Sequence, residues 1–362
     1  MTDESYIQIA LEIAKKGIGE VSPNPLVGCI LVKDDRIIGA GYHEKFGENH
    51  AEVNAIENAK ESLDGSTLFI NLEPCSHFGK TPPCVDKIID VKIKKVVIGT
   101  LDMNPLVSGN GVKKLKSAGI DVKVGILEKE CIDLNKFFFK YITENIPYIS
   151  LKAAQTLDGK IADIKGGSRW ISSMQSRRFV HQLRANYDAV LVGAGTVNQD
   201  NPSLTVRLTD GRNPRRIILD SGLVLNIDRR LFTRNNDHKT ILVTSRNIEK
   251  KQKVKKLESL GVKVLYARQD KNGNLNLKSV LKELAENQIA SILVEGGSRV
   301  FSSFIKSGLY DDMYLFISPK IIGNGIPVVE NIGVKNIKGT LKVKIKNYEL
   351  KGDDLMLKLE KL

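Results

Sequence analysis

Hydrophobic positions recur along this chain in two rhythms, about 3.6 residues and two, and their alternation lays out most of the architecture. The opening stretch MTDESYIQIALEIAKKG places Ile7, Ala10, Leu11 and Ala14 at helical spacing. Short β-like runs follow: LVGCILVKDDRIIGAGYH reads as a hairpin, and STLFINLEPC, KKVVIGTLD and DVKVGIL as single strands. Between them HAEVNAIENAKESL and CVDKIID carry helical patterning, and CIDLNKFFFKYITEN reads as one closing helix. Pro147 punctuates the next strand, YISLKAAQTLDGKIA. A second succession then runs through YDAVLVGAGTV, RRIILD, KTILVTS, VKVLYA, ASILVEGGS and MYLFISPKII. Strands alternating with helices in both halves predict mixed α/β layers. The boundary is expected near residue 146, giving domains over 1–145 and 146–362, and no repeat at a fixed period is visible.

A chain of 362 residues and 40.1 kDa is long enough for two such cores. Its 41% hydrophobic and 27% charged residues belong to an ordinary globular protein. No run approaches the roughly 18 apolar residues of a membrane span. Asp3 and Glu4 stand where a signal peptide would be basic, so a cytoplasmic location and no membrane partner are expected. The net charge of +13 raises the question of a nucleic-acid partner. The lysines, however, are scattered through segments such as EKKQKVKKLESLG, where Val254 and Leu257 keep one apolar stripe and the rest is solvated helix face. No nucleic-acid partner is therefore expected, and anionic small substrates suit the same balance.

Only 4 cysteines occur, and two of them flank one proline-bounded polar loop, EPCSHFGKTPPC, a placement that a disulfide framework does not explain. Upstream, His50-Ala51-Glu52 opens a helix, so His50 and Glu52 are expected to point from its exposed first turn into a cleft. Pro74-Cys75 ends a strand and Pro83-Cys84 opens a helix whose N-terminus is expected to favour a thiolate at Cys84. A His/Cys/Cys set leaves one tetrahedral position open on zinc, the arrangement of catalytic rather than structural sites. Zinc held in this way acidifies a water enough to supply hydroxide near neutral pH and leaves Glu52 to move protons. Zinc deaminases carry the set as H-x-E with P-C-x-x-C. Here eight residues separate Cys75 from Cys84, and the longer loop brings His77, Lys80 and Thr81 within reach of a charged substrate. A structural zinc, or two unrelated buried thiols, is the plainer alternative. Cys29 and Cys131 are expected simply to pack.

Together SPNPLVGCILV, GYHEKFGENHAEVNAI and LEPCSHFGKTPPC resemble the deaminase domain of the bifunctional riboflavin-biosynthesis deaminase/reductases, which has a cytidine deaminase-like, three-layer α/β fold. The resemblance implies that His50, Cys75 and Cys84 bind Zn2+ and that Glu52 is the catalytic proton shuttle. It also implies that Asn24, His43, His77 and Lys80 contact the substrate. On residue type alone, His43 and His77 also read as solvated loop residues.

In the second half, LVGAGTVNQDNPSLTVR places Gly193 and Gly195 after a β-like run, but Asn198 stands where G-x-G-x-x-G needs its third glycine, which weakens a Rossmann reading. ILVEGGSRVFSSFI reads as a strand, then Glu295-Gly296-Gly297-Ser298, then a helix with Val300, Phe301 and Phe304 on its apolar face. These glycines either let a phosphate approach the helix start or make a tight turn. With LKAAQTLDGKIA, the lone Trp170 in SRWIS, and DNPSLTVR, they resemble the reductase domain of the same family, which has a dihydrofolate reductase-like fold. The resemblance thus covers nearly the whole chain.

It implies that NADPH is bound by Ala154, Trp170, Thr196, Asp200, Ser221 and the stretch from Gly297. It further implies a substrate pocket lined by Lys152, Ser168, Arg184, Leu204, Arg207 and Glu295. The implied substrates are phosphoribosylaminopyrimidines: a diaminopyrimidinone loses its 2-amino group by hydrolysis, and the ribosyl chain of the resulting aminouracil is reduced to ribityl. A guanidinium holds phosphate through two parallel bonds, which suits Arg184 and Arg207. Arg177 and His181, on the same helical face as Arg184, read as solvated. Lys152 and Glu295 suit either holding the pyrimidine or moving a proton. A homo-oligomer is expected, as for many small-substrate enzymes. The rivals are a nucleic-acid base deaminase, which leaves the second half unexplained, and a non-catalytic, zinc-stabilised binding module.

Overall fold

The hairpin near the start of the chain forms because Asp34 and Asp35 both adopt positive φ, 48° and 57°, the mirror-image turn that matches the twist of paired strands. It joins β1 (Gly28–Lys33) to β2 (Arg36–Tyr42) and follows α1 (Asp3–Ala14). The computed structural model describes residues 1–77, 82–104 and 107–362, and the chain divides into two compact units, Met1–Asn145 and Ile146–Leu362. The first unit continues through α2 (Ala51–Glu57), β3 (Thr67–Leu72), α3 (Cys84–Asp90), β4 (Lys95–Thr100), α4 (Asn110–Ser117), β5 (Asp121–Val124), α5 (Glu128–Leu134) and α6 (Lys136–Glu144). Among the described residues its sheet runs β2-β1-β3-β4-β5, with β3, β4 and β5 parallel.

Period-two alternation sorts the strand side chains to two faces. Ile30, Val32, Phe69 and Val97 pack with Tyr6, Ile7 and Leu11 of α1 and Cys131 of α5. Their neighbours Cys29, Leu31, Leu68, Ile70, Val96 and Ile98 pack with Ala51 and Ala55 of α2 and with Val85 and Ile88 of α3. Helices thus cover both faces, giving three layers. Cys29 and Cys131, both fully buried, fill these cores as expected.

Two helices depart from the sequence pattern. The α2 helix stops at Glu57, shorter than the apolar pattern suggested, where the Asn58 amide donates to Ala40 O at 3.1 Å. The closing helix is broken at Asn135, whose buried side chain accepts from Leu26 N (2.7 Å) and donates to Leu26 O (3.0 Å). Satisfying the Leu26 peptide in the interior outweighs continuing one helix. This clamp fixes the segment that carries Asn24.

The second unit begins with β6 (Tyr148–Thr156), β7 (Lys160–Asp163), α7 (Met174–Asn186), β8 (Ala189–Gly193), α8 (Ala194–Asp200) and β9 (Arg215–Leu219). It continues with α9 (Arg230–Thr233), β10 (Thr240–Ser245), α10 (Lys251–Ser259), β11 (Lys263–Ala267), α11 (Leu277–Glu286), β12 (Ser291–Val294) and α12 (Ser298–Ser307). Four strands complete it: β13 (Asp312–Ser318), β14 (Gly325–Pro327), β15 (Val343–Lys351) and β16 (Asp354–Lys361). The main sheet runs β11-β10-β9-β8-β12-β6-β13-β16-β15, parallel from β11 to β13 and antiparallel in the final hairpin. The sequence reading gives no strands beyond MYLFISPKII. The lysine-rich hairpin that follows does alternate, Val343 and Ile345 with lysines and then Leu355, Leu357 and Leu359 at every second position, and forms two strands whose outer member is largely exposed.

Gly39 and Gly41 let α2 lie directly on β2: a Cβ at Gly41 would stand 2.3 Å from Ala55 N and 2.6 Å from Ala51 O. Because that approach sets the height of α2 over the sheet, Gly41→Ala is expected to lower the unfolding free energy by about 1–3 kcal/mol, as overpacking does. Urea denaturation of the full chain, compared with wild type, is the check.

Candidate active sites

In the first unit the carboxyl end of β3 and the starts of α2 and α3 converge. His50 is the residue that caps α2, yet its side chain makes no capping bond and is free to turn inward. Its Nδ1 lies 3.6 Å from Cys75 Sγ and 3.3 Å from Cys84 Sγ, and the three ligand atoms lie within 4.8 Å of one another. Zinc with bonds of about 2.3 Å to sulfur and about 2.0–2.1 Å to nitrogen holds a tetrahedral N and S about 3.6 Å apart, so this donor set fits the ion.

The helix start expected to favour a thiolate does so at the other cysteine. Cys84 N–H donates to Cys75 Sγ at 3.3 Å, and the Cys84 thiol and His50 bond to the same sulfur. These bonds hold Cys75 well below the usual thiol range, while Cys75 and burial push Cys84 up. The reason is direction: the first N–H groups of a helix point away from its own first side chain and toward whatever precedes it.

Glu52 is not on an exposed turn, for it is 3% accessible. Burial first, then the negative charge of Cys75, push its carboxyl up to about 7. His43 and Asn24 form a relay beside His50, whose ring centroid lies 5.3 Å from that of His43. His43 Nδ1 meets the carbonyl of Asn49 at 2.9 Å and must donate, so Nε2 accepts from the Asn24 amide at 3.0 Å. Burial lowers the His43 pKa, keeping the ring neutral, and Asn24 is left with its carbonyl oxygen to offer. The buried position of His43 removes the solvated-loop reading, whereas His77 is exposed at the rim.

Together with His50, Glu52, Cys75, Asn24, His43 and His77, a cavity of 360 Å³ is lined by Asp102, Asn104 and apolar groups of α6, including Phe138 and Tyr141. Lys80 and Thr81 lie outside the described residues. Asp102 and Asn104 were not among the expected residues. Asp102 is 7% exposed and pushed up to about 6, chiefly by burial. Its place just past β4 was the available signal, since α/β sheets gather ligands at the carboxyl ends of their parallel strands.

The second unit gathers its expected residues at the same edge of its own sheet. Glu295 follows β12, Thr196 and Asp200 lie on α8 after β8, and Ser221 follows β9. Arg184 and Glu295 are not separate pocket charges but one bidentate pair: Nε donates to Oε1 at 2.5 Å and Nη2 to Oε2 at 2.8 Å. The third arm, Nη1, donates to Thr205 O at 3.1 Å. Burial alone would raise the Glu295 carboxyl, but Arg184 and Lys152 hold it below its usual value. The Lys152 ammonium, on β6, is lowered by the same burial and partly restored by Glu295.

Gly297 takes φ +62° and stands so close to Thr196 that a Cβ would lie 2.7 Å from its Oγ1. It precedes α12 without a side-chain cap, leaving backbone N–H groups for a phosphate, and at Gly195 a Cβ would meet nothing within 4 Å. The uncapped helix start at Gly297 and the open surface at Gly195 fit a dinucleotide. Trp170 is 62% exposed, with the Arg177 guanidinium 3.9 Å from its ring centroid, and Arg169 ties this loop to Asp200 O at 2.9 Å. Ala154 lies on β6, Ser168 is half-buried before Trp170, and Leu204 is buried with φ +52°. Arg207 is exposed, whereas His181, expected to be solvated, is 5% accessible.

A buried carboxyl beside an imidazole and two thiols is the chemistry of zinc-dependent nucleobase deaminases. Residues 1–100 match the cytidine and deoxycytidylate deaminase zinc-binding region, and residues 147–357 match the RibD C-terminal domain. The riboflavin biosynthesis protein RibD of Aquifex aeolicus (strain VF5) is 47% identical, over 98% of this chain and 97% of that one. That of Escherichia coli (strain K12) is 36% identical over 99% of each. A crystal structure of a diaminohydroxyphosphoribosylaminopyrimidine deaminase/5-amino-6-(5-phosphoribosylamino)uracil reductase from Thermotoga maritima superposes with a TM-score of 0.88 at 44% identity, covering 99% of both chains. The chain belongs to the RibD family of bifunctional deaminase/reductases of riboflavin biosynthesis, with a zinc-dependent deaminase domain and an NADPH-dependent, dihydrofolate reductase-like domain. No helix among the described residues is long and apolar enough to cross a membrane.

Cys84→Ser is expected to bring bound zinc from about one per chain to near zero and to abolish ammonia release, because two protein ligands do not hold the ion against a chelator. NADPH oxidation on supplied aminouracil phosphate should stay within about twofold. Metal analysis after chelator dialysis, with the two assays run separately, is the measurement.

Proposed function

We propose that Met1–Asn145 hydrolyses the 2-amino group from 2,5-diamino-6-(5-phosphoribosylamino)pyrimidin-4-one, and that Ile146–Leu362 reduces the ribosyl chain of the resulting 5-amino-6-(5-phosphoribosylamino)uracil to ribityl. The Thermotoga maritima relative is named for this pair of substrates. The observation that carries the first half is the buried Glu52 carboxyl opening onto the cavity that His50 and Cys75 line.

His50, Cys75 and Cys84 would hold zinc, which supplies an acidified water as nucleophile when bound. Glu52, pushed up to about 7, can take one proton of the attacking water at its carboxylate and give it to a ring nitrogen, then take the proton left on the added oxygen and give it to the departing ammonia. Asn24, oriented by neutral His43, offers an acceptor to the pyrimidine edge, and Asp102 and Asn104 offer further polar groups. His77 at the rim and Lys80 suit the phosphoribosyl arm.

In the second unit NADPH supplies the hydride, held by Ala154, Trp170, Thr196, Asp200, Ser221 and the uncapped helix start at Gly297. Lys152, with its lowered pKa, suits the giving of a proton to the opening ribose oxygen. Glu295 keeps that ammonium and Arg184 in place. Arg207 stands toward solvent, where it can meet the substrate phosphate, while Ser168 and Leu204 complete the pocket.

A cytoplasmic homo-oligomer fits the same reading. Ile345 is 57%, Tyr348 70% and Leu350 72% exposed on the edge strand β15, and the irregularity between Ile345 and Asn347 keeps them on one face. Exposed edges of this kind are covered in soluble proteins. The triple replacement of these residues by lysine should give a monomer by sedimentation, where wild type sediments as a larger species.

Glu52→Gln is expected to reduce ammonia release by about 10²–10⁴-fold. Zinc content and reduction of supplied aminouracil phosphate should be unchanged. Wild type that binds zinc yet releases no ammonia from the diaminopyrimidine would refute the substrate assignment.

A further inference from the structure

His181 lies on α7, one turn before Arg184, and is 5% exposed. Its Nδ1 receives the backbone N–H of Arg207 at 2.8 Å and, more weakly, that of Leu208 at 3.4 Å. A backbone N–H can only donate, so Nδ1 is unprotonated and the ring proton sits on Nε2. The same loop is held at Thr205 O by Arg184 (3.1 Å) and at Val206 N by the Asn213 side chain (2.8 Å). Arg207 itself reaches back to Thr205 Oγ1 at 2.8 Å. Its guanidinium is exposed, so its place in the site depends on where its backbone is fixed.

We propose that His181 is a positioning residue of the reductase, a neutral imidazole that fixes the backbone at Arg207 and thereby sets where that guanidinium meets the substrate's phosphate. The inference rests on the reading of Arg207 as a phosphate-binding group. The charged groups facing His181 come from four elements: Arg184 on its own helix, Arg207 on the loop, Lys152 on β6 and Glu295 after β12. Burial and the first of these cations push its pKa down to about 4. A proton on Nδ1 would set three donors against one another and release the loop.

The sign of the pH effect follows. The unfolded chain binds this proton near the ordinary value of 6.5, before the folded one does, so the contribution of the neutral ring to stability is fully present above pH 6.5. That contribution is lost progressively as pH falls from there to about 4, whereas in the folded enzyme the ring stays neutral and the loop held until pH nears about 4.

The test uses the full-length, zinc-loaded enzyme with NADPH, the aminouracil phosphate, and the same compound without its phosphate. His181→Phe, which removes the acceptor, should raise KM for the phosphorylated substrate by about ten- to a hundredfold, the scale on which one charge-assisted hydrogen bond contributes to affinity. KM for NADPH and turnover of the unphosphorylated compound should not move. His181→Asn, whose Oδ1 can accept the same N–H, should restore KM to within about threefold. Relative to His181→Asn, wild type should lose affinity for the phosphorylated substrate only as pH approaches about 4, where the folded ring takes up its proton. Arg207→Ala should reproduce the KM rise, and the double variant His181→Phe/Arg207→Ala should add nothing to it.

Equal damage from Phe and Asn, a parallel rise in KM for NADPH, or additivity with Arg207→Ala would make His181 a filler of the core and overturn the proposal. A raised KM in Arg207→Ala beside an unchanged one in His181→Phe also overturns it, with the phosphate reading intact. An unchanged KM in Arg207→Ala removes the phosphate reading and the proposal with it. Should His181→Phe fail to fold, the pH comparison between wild type and His181→Asn decides, and coincident profiles overturn the proposal.

Discussion

Keeping ionisable groups out of water is the constraint around which both units are built, because an isolated buried charge costs several kcal/mol and must be neutralised or partnered. Each site meets that cost by a different means. In the first unit Glu52 and Asp102 shift toward their neutral forms, and Cys75 keeps its charge by collecting donors from His50 and from both the thiol and the N–H of Cys84. In the second unit the groups stay charged and face one another, Arg184 and Lys152 against a single Glu295. The carboxylate is outnumbered, so the pocket keeps a positive excess for an anionic substrate. Removing Glu295 would leave two cations unpaired, which makes it as much a structural residue as a functional one.

Parallel strands decide where these groups stand. In the first unit β3 runs out into Glu73 through His77 and β4 into Asp102 through Asn104. Glu73 ties the two segments together, since its carboxylate accepts from the N–H groups of Asp102 (3.2 Å), Gly109 (2.9 Å) and Val112 (3.2 Å). In the second unit the strand order reverses: β8 to β11 step outward to one edge, β12 returns between β8 and β6, and β13 lies beyond β6. Crevices of this kind open at such reversals, and Thr196, Glu295 and Gly297 stand beside this one.

Much of this was legible in the residues. Most strands of both sheets declare themselves through short, nearly continuous apolar runs, buried on both faces, and His50, Cys75 and Cys84 through spacing that metal chemistry requires. What stayed hidden depended on interactions between distant segments. Asn135 splits a helix for the sake of Leu26, more than a hundred positions away, and helical periodicity carries no trace of that bond. Asp102 carries no motif of its own. His181 follows helical spacing with two arginines and so looks like a wetted face, until the loop after α8 closes over it. Arg184 and Glu295 could each be singled out, but not their pairing across 111 positions. The hairpin of β15 and β16, though absent from the sequence reading, was legible, since Val343 and Ile345 alternate with lysines and Leu355, Leu357 and Leu359 recur at every second position.

The place of β6 in the interior of the large sheet has a consequence for how the chain is made. Its two neighbours are β12, which begins at Ser291, and β13, which begins at Asp312, whereas β6 itself ends at Thr156. At a synthesis rate of about 5–20 residues per second, the strand waits on the order of ten seconds with both edges unpaired and with Ile149 and Leu151 uncovered. In the first unit β3 finds β1 already made and acquires β4 by Thr100. The nascent chain can therefore close one sheet early while the heart of the other stands open on the ribosome, a natural point for chaperone attention and for aggregation when synthesis stalls.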